Sequence, residues 1–426
     1  MMSCAPRKSF QIVLPVLVCL LLTSIDTPTQ AESPLERWDF KALSSPPKMR
    51  WESQEGPIHS LIYTGEPYQG HETEVFAFYA SPSTLGKANG QTKFPGVVLI
   101  HGGGGTAFAE WAWLWANRGY AAIAMDLSGR RPIAPLYDAA GVPVNGQASR
   151  PQTRTRLEKG GPEQGGAEKF QCMDAEKTDD WPYHAVASCV RAHSLLRSFP
   201  EVDPSRTGVT GISWGGYTTC LVASVDSRFQ AAVPVYGCGF LYEGESVQKP
   251  MIDALGDKRE EWIAAYDPSK LLCHCQVPIL FVNGTNDVHY PMDSYQKSFD
   301  VVPGPKQMRM EVKMPHSHPS GWAPQEIGLF IDSHCKNGAP LAQLGTPEVV
   351  DQAVHVPCSF TVPLKSAALH YTVDLGPRSK REWVTVAAEI KNGTIVAPRP
   401  PRDANTWFVT VVDERNAMSS TTIQFH

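Results

Sequence analysis

Two kinds of hydrophobic pattern divide the chain. Between residues 58 and 80 apolar and polar positions alternate. Ser60-Leu61-Ile62-Tyr63 and Thr73-Glu74-Val75-Phe76-Ala77-Phe78-Tyr79 predict two strands of a hairpin-like pair around a Gly65-Glu66-Pro67 turn region. From Phe94 onward short continuous apolar runs alternate with longer helical stretches. The runs predict strands at Pro95–Ile100, Tyr120–Met125, Thr207–Gly211, Ala231–Tyr236, Pro278–Val282 and Gln307–Lys313. Between them lie predicted helices at Ala107–Arg118, from Trp181 to about Phe199, at Trp214–Val225 and at Gln325–Lys336. Asp180 is placed to cap the second of these, with Pro182 in its first turn. Alternation of this kind predicts an α/β domain over 58–338, with a mostly parallel sheet and helices on both faces. Residues 128–180 break the rhythm with Gly, Pro, Arg and Gln, and so long a loop within a compact domain is usually functional. Beyond Gly338 the helical period stops. Short β-rich runs at Ala353–Val356, Ala367–Val373, Trp383–Ala387 and Trp407–Val412 predict a small all-β sandwich over 340–426.

The first residues change that picture. Arg7 and Lys8 precede an apolar run from Phe10 to Leu22, and Thr29-Gln30-Ala31 closes it with small residues. This predicts a signal peptide over 1–31 and a secreted or periplasmic protein. The run is shorter than the ~20 residues of a membrane span, so no membrane span is expected after signal cleavage. The Pro- and Ser-rich stretch 32–57 is expected to be an extended arm. Loss of the signal removes Cys4 and Cys19. It leaves Cys172, Cys189, Cys220, Cys238, Cys273, Cys275, Cys335 and Cys358, an even set that allows disulfides in an exported protein. Cys273-His274-Cys275 lacks a second ligand pair at zinc spacing, so neither a metal nor a cofactor is expected. The formal net charge is −5, with no basic run. Nucleic acid is therefore not an expected partner, and a neutral, modest-sized substrate fits better.

The chemistry centres on Gly211-Ile212-Ser213-Trp214-Gly215. The motif alone is weak, but here a strand-like run precedes Ser213 and a helical pattern follows it. That context predicts a nucleophile elbow, in which a tight strand-to-helix turn exposes the serine hydroxyl. A serine needs a base. Asp287, in Asn283-Gly284-Thr285-Asn286-Asp287, follows a strand end, where the acid of a triad belongs; an aspartate of a Gly/Asn turn reads the same way. Met314-Pro315-His316-Ser317-His318 offers two bases, His316 directly after the last strand and His318 as the alternative. Glycines in His101-Gly102-Gly103-Gly104-Gly105 let backbone N–H groups approach a substrate oxygen. Gly103 or Gly104, paired with the N–H of Trp214, is the expected oxyanion hole.

At these residues the chain resembles the secreted bacterial α/β-hydrolases grouped with acetylxylan esterases, dienelactone hydrolases and prolyl-oligopeptidase catalytic domains. The resemblance is carried by His101–Gly105 with Trp111 and Trp115, by Gly119-Tyr120-Ala121-Ala122 and Asp126, and by Asp203-Pro204-Ser205-Arg206. It continues in Gly211–Gly216, Asn283–Asp287, and His316-Ser317-His318 with Gly321-Trp322. It spans roughly 58–338 and implies Ser213, Asp287 and His316 as a triad. The doubled histidine departs from the simpler Gly-His pattern. The 128–180 insertion is expected over the active site, with Arg130, Arg131, Trp181 and Tyr183 as pocket candidates. The expected activity is serine carboxylic-ester hydrolysis, with a small-molecule or carbohydrate ester, such as a carbohydrate acetate, as substrate. An aminopeptidase-like serine peptidase is the alternative. Glu176, Asp179 and Asp180 would be its amine-binding carboxylates, although the stretch before residue 58 is too short for the peptide-gating propeller of such relatives, so none is expected there. A non-catalytic binding protein on the same scaffold is the third reading.

Overall fold

Val97, Val98, Leu99 and Ile100 are solvent-free along their whole length, and so is Ala121–Met125 beside them. The computed structural model describes residues 34–88, 93–144, 154–171 and 177–426 besides Met1, and residues 34–426 form one compact unit. Its central sheet is built from β1 (Met49–Ser53), β2 (His59–Thr64), β3 (Glu74–Ala80), β4 (Phe94–Ile100), β5 (Ala121–Met125), β6 (Val202–Ile212), β7 (Ala231–Val235), β8 (Ile279–Gly284) and β9 (Lys306–Glu311). The spatial order is β1-β2-β3-β5-β4-β6-β7-β8-β9. The first three strands run antiparallel to their neighbours, and β5 through β9 are parallel. Every residue of β4, β5, β7 and β8 is buried, as parallel strands covered on both faces must be.

The flanking helices are α1 (Ala109–Asn117), α2 (Trp181–Ser198), α3 (Trp214–Val225), α4 (Met292–Val301) and α5 (Gln325–Cys335). Two glycines show that they lie on opposite faces. Gly96 stands opposite Thr207, and Gly208 is the next residue along β6, so the two glycines face opposite ways. A Cβ on Gly96 would meet Leu196 of α2, whereas one on Gly208 would meet Ile331 of α5. The expected parallel sheet with helices on both sides is therefore present, in the strand order of an α/β-hydrolase.

Residues 34–57, expected as an extended arm, instead fold onto the body. Apolar residues are the cause. Trp38 and Leu43 are buried, the Trp38 indole donates to the Tyr183 carbonyl, and β1 extends the sheet by pairing Met49 with Tyr63. In the 128–180 region Arg130–Pro132 pairs antiparallel with Arg154–Arg156. Asp180 starts α2 but makes no side-chain cap; its carboxylate accepts the Tyr266 hydroxyl instead. The predicted signal segment, with Cys4 and Cys19, lies outside the described residues, as do Cys172 and Glu176. Among the described residues no helix is long and apolar enough to cross a membrane. The seven described cysteines are free thiols, most of them buried, and none is disulfide-bonded.

Beyond residue 343 follow β10 (Ala353–Ser359), β11 (Leu364–Thr372), β12 (Val384–Lys391), β13 (Thr394–Pro398), β14 (Thr406–Asp413) and β15 (Met418–Ser420). β12 pairs with β11 through Val384–Ala388 and with β13 through Glu389–Lys391, passing from one layer to the other. Val354, Val356, Leu369, Ile395, Trp407 and Val409 fill a small core between the layers. β15 is sewn to the hydrolase sheet: it pairs with β9 at Met308 and Ser420, and the Ser420 hydroxyl accepts the Met310 N–H. Phe408, Ala417 and Ile423 join the large core.

Candidate active site

Gly211–Gly215 makes the tightest turn of the sheet. Ser213 sits at φ 59°, ψ −119°, between the end of β6 and the start of α3. This is left-handed territory that non-glycine residues rarely occupy, and such strain concentrates at functional sites. Glycine beside it is a steric necessity: a Cβ on Gly215 would lie 2.0 Å from the Ile100 carbonyl oxygen. The turn leaves the Trp214 N–H in the first turn of α3, where it has no intrahelical acceptor.

Three side chains from distant segments meet here. Ser213 Oγ lies 3.0 Å from His316 Nε2, and His316 Nδ1 lies 2.6 Å from Asp287 Oδ2. Asp287 follows β8, and His316 follows β9. The turn reading and the acid reading of Asp287 are both satisfied, by different oxygens. Oδ1 accepts the N–H groups of His289 and Tyr290 at 2.8 and 2.9 Å, leaving Oδ2 for the histidine. The His316 ring stacks on Tyr236 at 4.4 Å and leans on His289 at 4.9 Å. Tyr236 itself holds the loop, donating to the Pro315 carbonyl at 2.6 Å.

His318 does not reach the serine. Its Nε2 accepts the Gly102 N–H at 3.0 Å, so its lone pair is already used. Burial, reinforced by His101, His316 and Arg154, pushes its imidazole down to about 3. His101 holds the other side of the same glycine. The Leu127 N–H donates to His101 Nε2 at 2.9 Å, so the ring proton sits on Nδ1 and is donated to the Gly102 carbonyl at 2.8 Å. Gly103 and Gly104 follow at once, Gly104 with φ 70°. Arg154 donates to the Gly105 carbonyl at the far end of the loop. The glycine loop, held at both ends, therefore runs beside the start of α3, with Gly102 next to Ser213 and Gly103 against the Trp214 ring.

The insertion also approaches the elbow. Phe170 packs edge-on against Trp214 at 5.5 Å, and the Lys169 ammonium lies 5.3 Å from its ring centre. Burial lowers the Lys169 ammonium to about 8. Each of the four pocket candidates has a partner within the protein. Trp181 is buried and donates to the Leu127 carbonyl, and Tyr183 packs on Trp38. Arg130 pairs with Glu163, and Arg131 with Glu52. Asp179 accepts the Gln69 N–H, and Asp180 is buried beneath Tyr266; no amine-binding pair forms from them. Sequence reasoning missed Tyr236 and Tyr290. The buried Tyr290 hydroxyl lies beside the Ser213 side chain without the geometry of a hydrogen bond. Its place three residues after Asp287 was the available signal.

Known proteins share this arrangement of strands. The acetyl xylan esterase from Paenibacillus sp. R4 superposes with a TM-score of 0.52 at 21% identity, over 72% of this chain and 96% of that one. Acetyl xylan esterase 1 from Thermoanaerobacterium sp. JW/SL YS485 gives 0.50 at 17% identity, over 70% and 92%. At such identity these likenesses speak for the fold alone. A curated relative, the uncharacterized peptidase YuxL of Bacillus subtilis (strain 168), is 24% identical over 242 residues, which is 53% of this chain but only 30% of that protein. Residues 82–314 match the dienelactone hydrolase family. That span is more than half of the chain and holds the elbow, the glycine loop and the aspartate, so the protein belongs to the dienelactone hydrolase family.

Proposed function

We propose that this protein is an exported serine carboxylic-ester hydrolase that works through an acyl-enzyme. One observation carries the reading: the unbroken hydrogen-bond chain from Asp287 through His316 to Ser213. Ser213 Oγ attacks the ester carbonyl carbon while His316 Nε2 takes its proton. Asp287 Oδ2 holds the Nδ1 proton and stabilises the imidazolium. The N–H groups of Trp214 and of Gly103 or Gly104 receive the oxyanion, where fixed donors stabilise a charge that exists only in the transition state. His316 then protonates the departing alkoxide, and water releases the acid by the same steps in reverse order.

A carbohydrate acetate is the substrate class proposed. The fold shared with two acetyl xylan esterases and the predicted export segment support it. The second reading, a serine peptidase, is favoured by the name of the curated relative. An acetylated sugar, nitrophenyl acetate and an aminoacyl amide, assayed side by side, separate the two. Turnover of the esters with labelling by a fluorophosphonate, both abolished in Ser213→Ala, is the expected result. Turnover of the amide alone would reverse the assignment.

A further inference from the structure

His318 is unexplained by the triad, yet it is held as firmly as a triad member. It opens the short helix His318–Trp322, whose N-cap Ser317 accepts the Ser320 N–H at 3.1 Å. Phe108 packs on its ring at 4.7 Å, and Trp322 backs Phe108 at 5.5 Å. The ring edge is pressed against the glycine loop so closely that no side chain would fit there. A Cβ on Gly102 would lie 3.0 Å from His318 Nε2, and one on Gly105 would lie 2.8 Å from it. Gly105 is thus kept bare chiefly by the imidazole, and Gly102 by the imidazole together with the Ile212 carbonyl oxygen, 2.7 Å from such a Cβ.

We propose that His318 is a positioning residue for the oxyanion hole: by accepting the Gly102 N–H it sets the register in which Gly103 and Gly104 present theirs. Gly102 is held from two sides, its N–H by His318 and its carbonyl by His101 Nδ1. The two peptide units that meet at the Gly102 Cα are thus each anchored, and neither turns without breaking a hydrogen bond. The amides that follow are therefore aimed before substrate arrives, which is what electrostatic preorganisation requires. The depressed basicity of the ring keeps Nε2 an acceptor at neutral pH; a protonated ring would donate and lose the Gly102 N–H. The His-x-His spacing then has a division of labour. His316 moves a proton, and His318 never does.

The role in catalysis rests on the proposed esterase reading; the clamp itself does not. The test compares His318→Phe, which keeps a flat ring against Phe108 but removes the acceptor, with His318→Gln, whose amide oxygen restores one. Nitrophenyl acetate hydrolysis is measured on the full chain, with hydrogen exchange of the Gly102 amide followed by NMR on glycine-labelled protein. In His318→Phe, kcat is expected to fall about 10²–10³-fold, the loss typical of one oxyanion donor, with KM within about threefold. Gly102 exchange is expected to accelerate at least tenfold in the same variant. His318→Gln is expected to regain most of both. Unchanged kcat in His318→Phe, a change in KM alone, or equal damage in both variants overturns the proposal. If the wild-type protein turns over no ester, the esterase reading has failed and exchange alone decides the clamp. Faster exchange in His318→Phe then upholds it, and unchanged exchange overturns it.

Discussion

Asp287 divides its two oxygens between a turn and a histidine, and that division makes a clean experiment possible. In Asp287→Asn the amide oxygen can still accept the His289 and Tyr290 N–H groups, so the loop after β8 should keep its shape. The amide nitrogen facing His316 Nδ1 forces the opposite tautomer, which can no longer accept the Ser213 proton. Turnover is expected to fall about 10⁴-fold while the thermal midpoint moves by less than about 3 °C. A loss under tenfold would show that the aspartate does not orient the base. At this scale the sequence was informative wherever chemistry repeats a spacing. Ser213 was legible from a motif in strand-to-helix context, and Asp287 from its place after a strand. The choice between His316 and His318 was not, because two residues on one loop differ only in which neighbour each ring meets. The Gly102 N–H, more than 200 residues away, settles that. Tyr290 escaped although it stands three residues after Asp287, because only packing brings its hydroxyl beside Ser213.

Elements carry the site by their ends. Ser213 closes β6, Asp287 follows β8 and His316 follows β9, so any change in how these strands align moves the triad. The elbow tolerates least. In Gly215→Ala the new Cβ would meet the Ile100 carbonyl oxygen at 2.0 Å and that of His101 at 2.7 Å. Backbone on both sides cannot yield, and the cost is expected to reach at least about 3 kcal/mol, the upper end for overpacking. A urea midpoint equal to that of the parent would contradict this packing. The opposite edge offers a milder case. Ser420→Ala would leave the buried Met310 N–H without its 2.7 Å acceptor, a loss of about 1–3 kcal/mol. Denaturation of the full chain should detect it, and no change would mean that the bond contributes nothing. The order of the parallel strands was readable, since solvent-free strands leave continuous apolar runs, but the helix Met292–Val301 between β8 and β9 was not foreseen. Nor was the folding of residues 34–57, because Pro and Ser obscure the few residues that fix it: Trp38 and Leu43 by burial, and Met49–Ser53 by pairing with β2.

Across the whole molecule, imidazoles are buried in unusual number. Burial lowers His184, His193 and His370 to about 4 and His318 to about 3. An unfolded chain titrates its histidines near 6.5. Each folded value lies below the unfolded one, so the fold's preference for neutral rings is complete above pH 7. It is lost progressively as pH falls from about 7 to 4 and the unfolded chain takes up protons first. The thermal midpoint is expected to drop by roughly 5 °C or more between pH 7 and pH 5. A flat profile over that interval would refute the neutral assignment. What the pattern of residues could not convey at this scale was how the β-rich end attaches. Its strands were visible as alternating runs, but the seam between Met308 and Ser420 depends on two segments more than a hundred residues apart. That seam has a consequence for biogenesis. β9 delivers the histidine loop, and its outer edge is completed by residues 418–420. A nascent chain paused at residue 338 would therefore contain every reacting group and still lack the strand that steadies one of them. Hydrolytic competence should therefore arise late in synthesis, only after residues 418–420 have left the ribosome and closed the edge of β9.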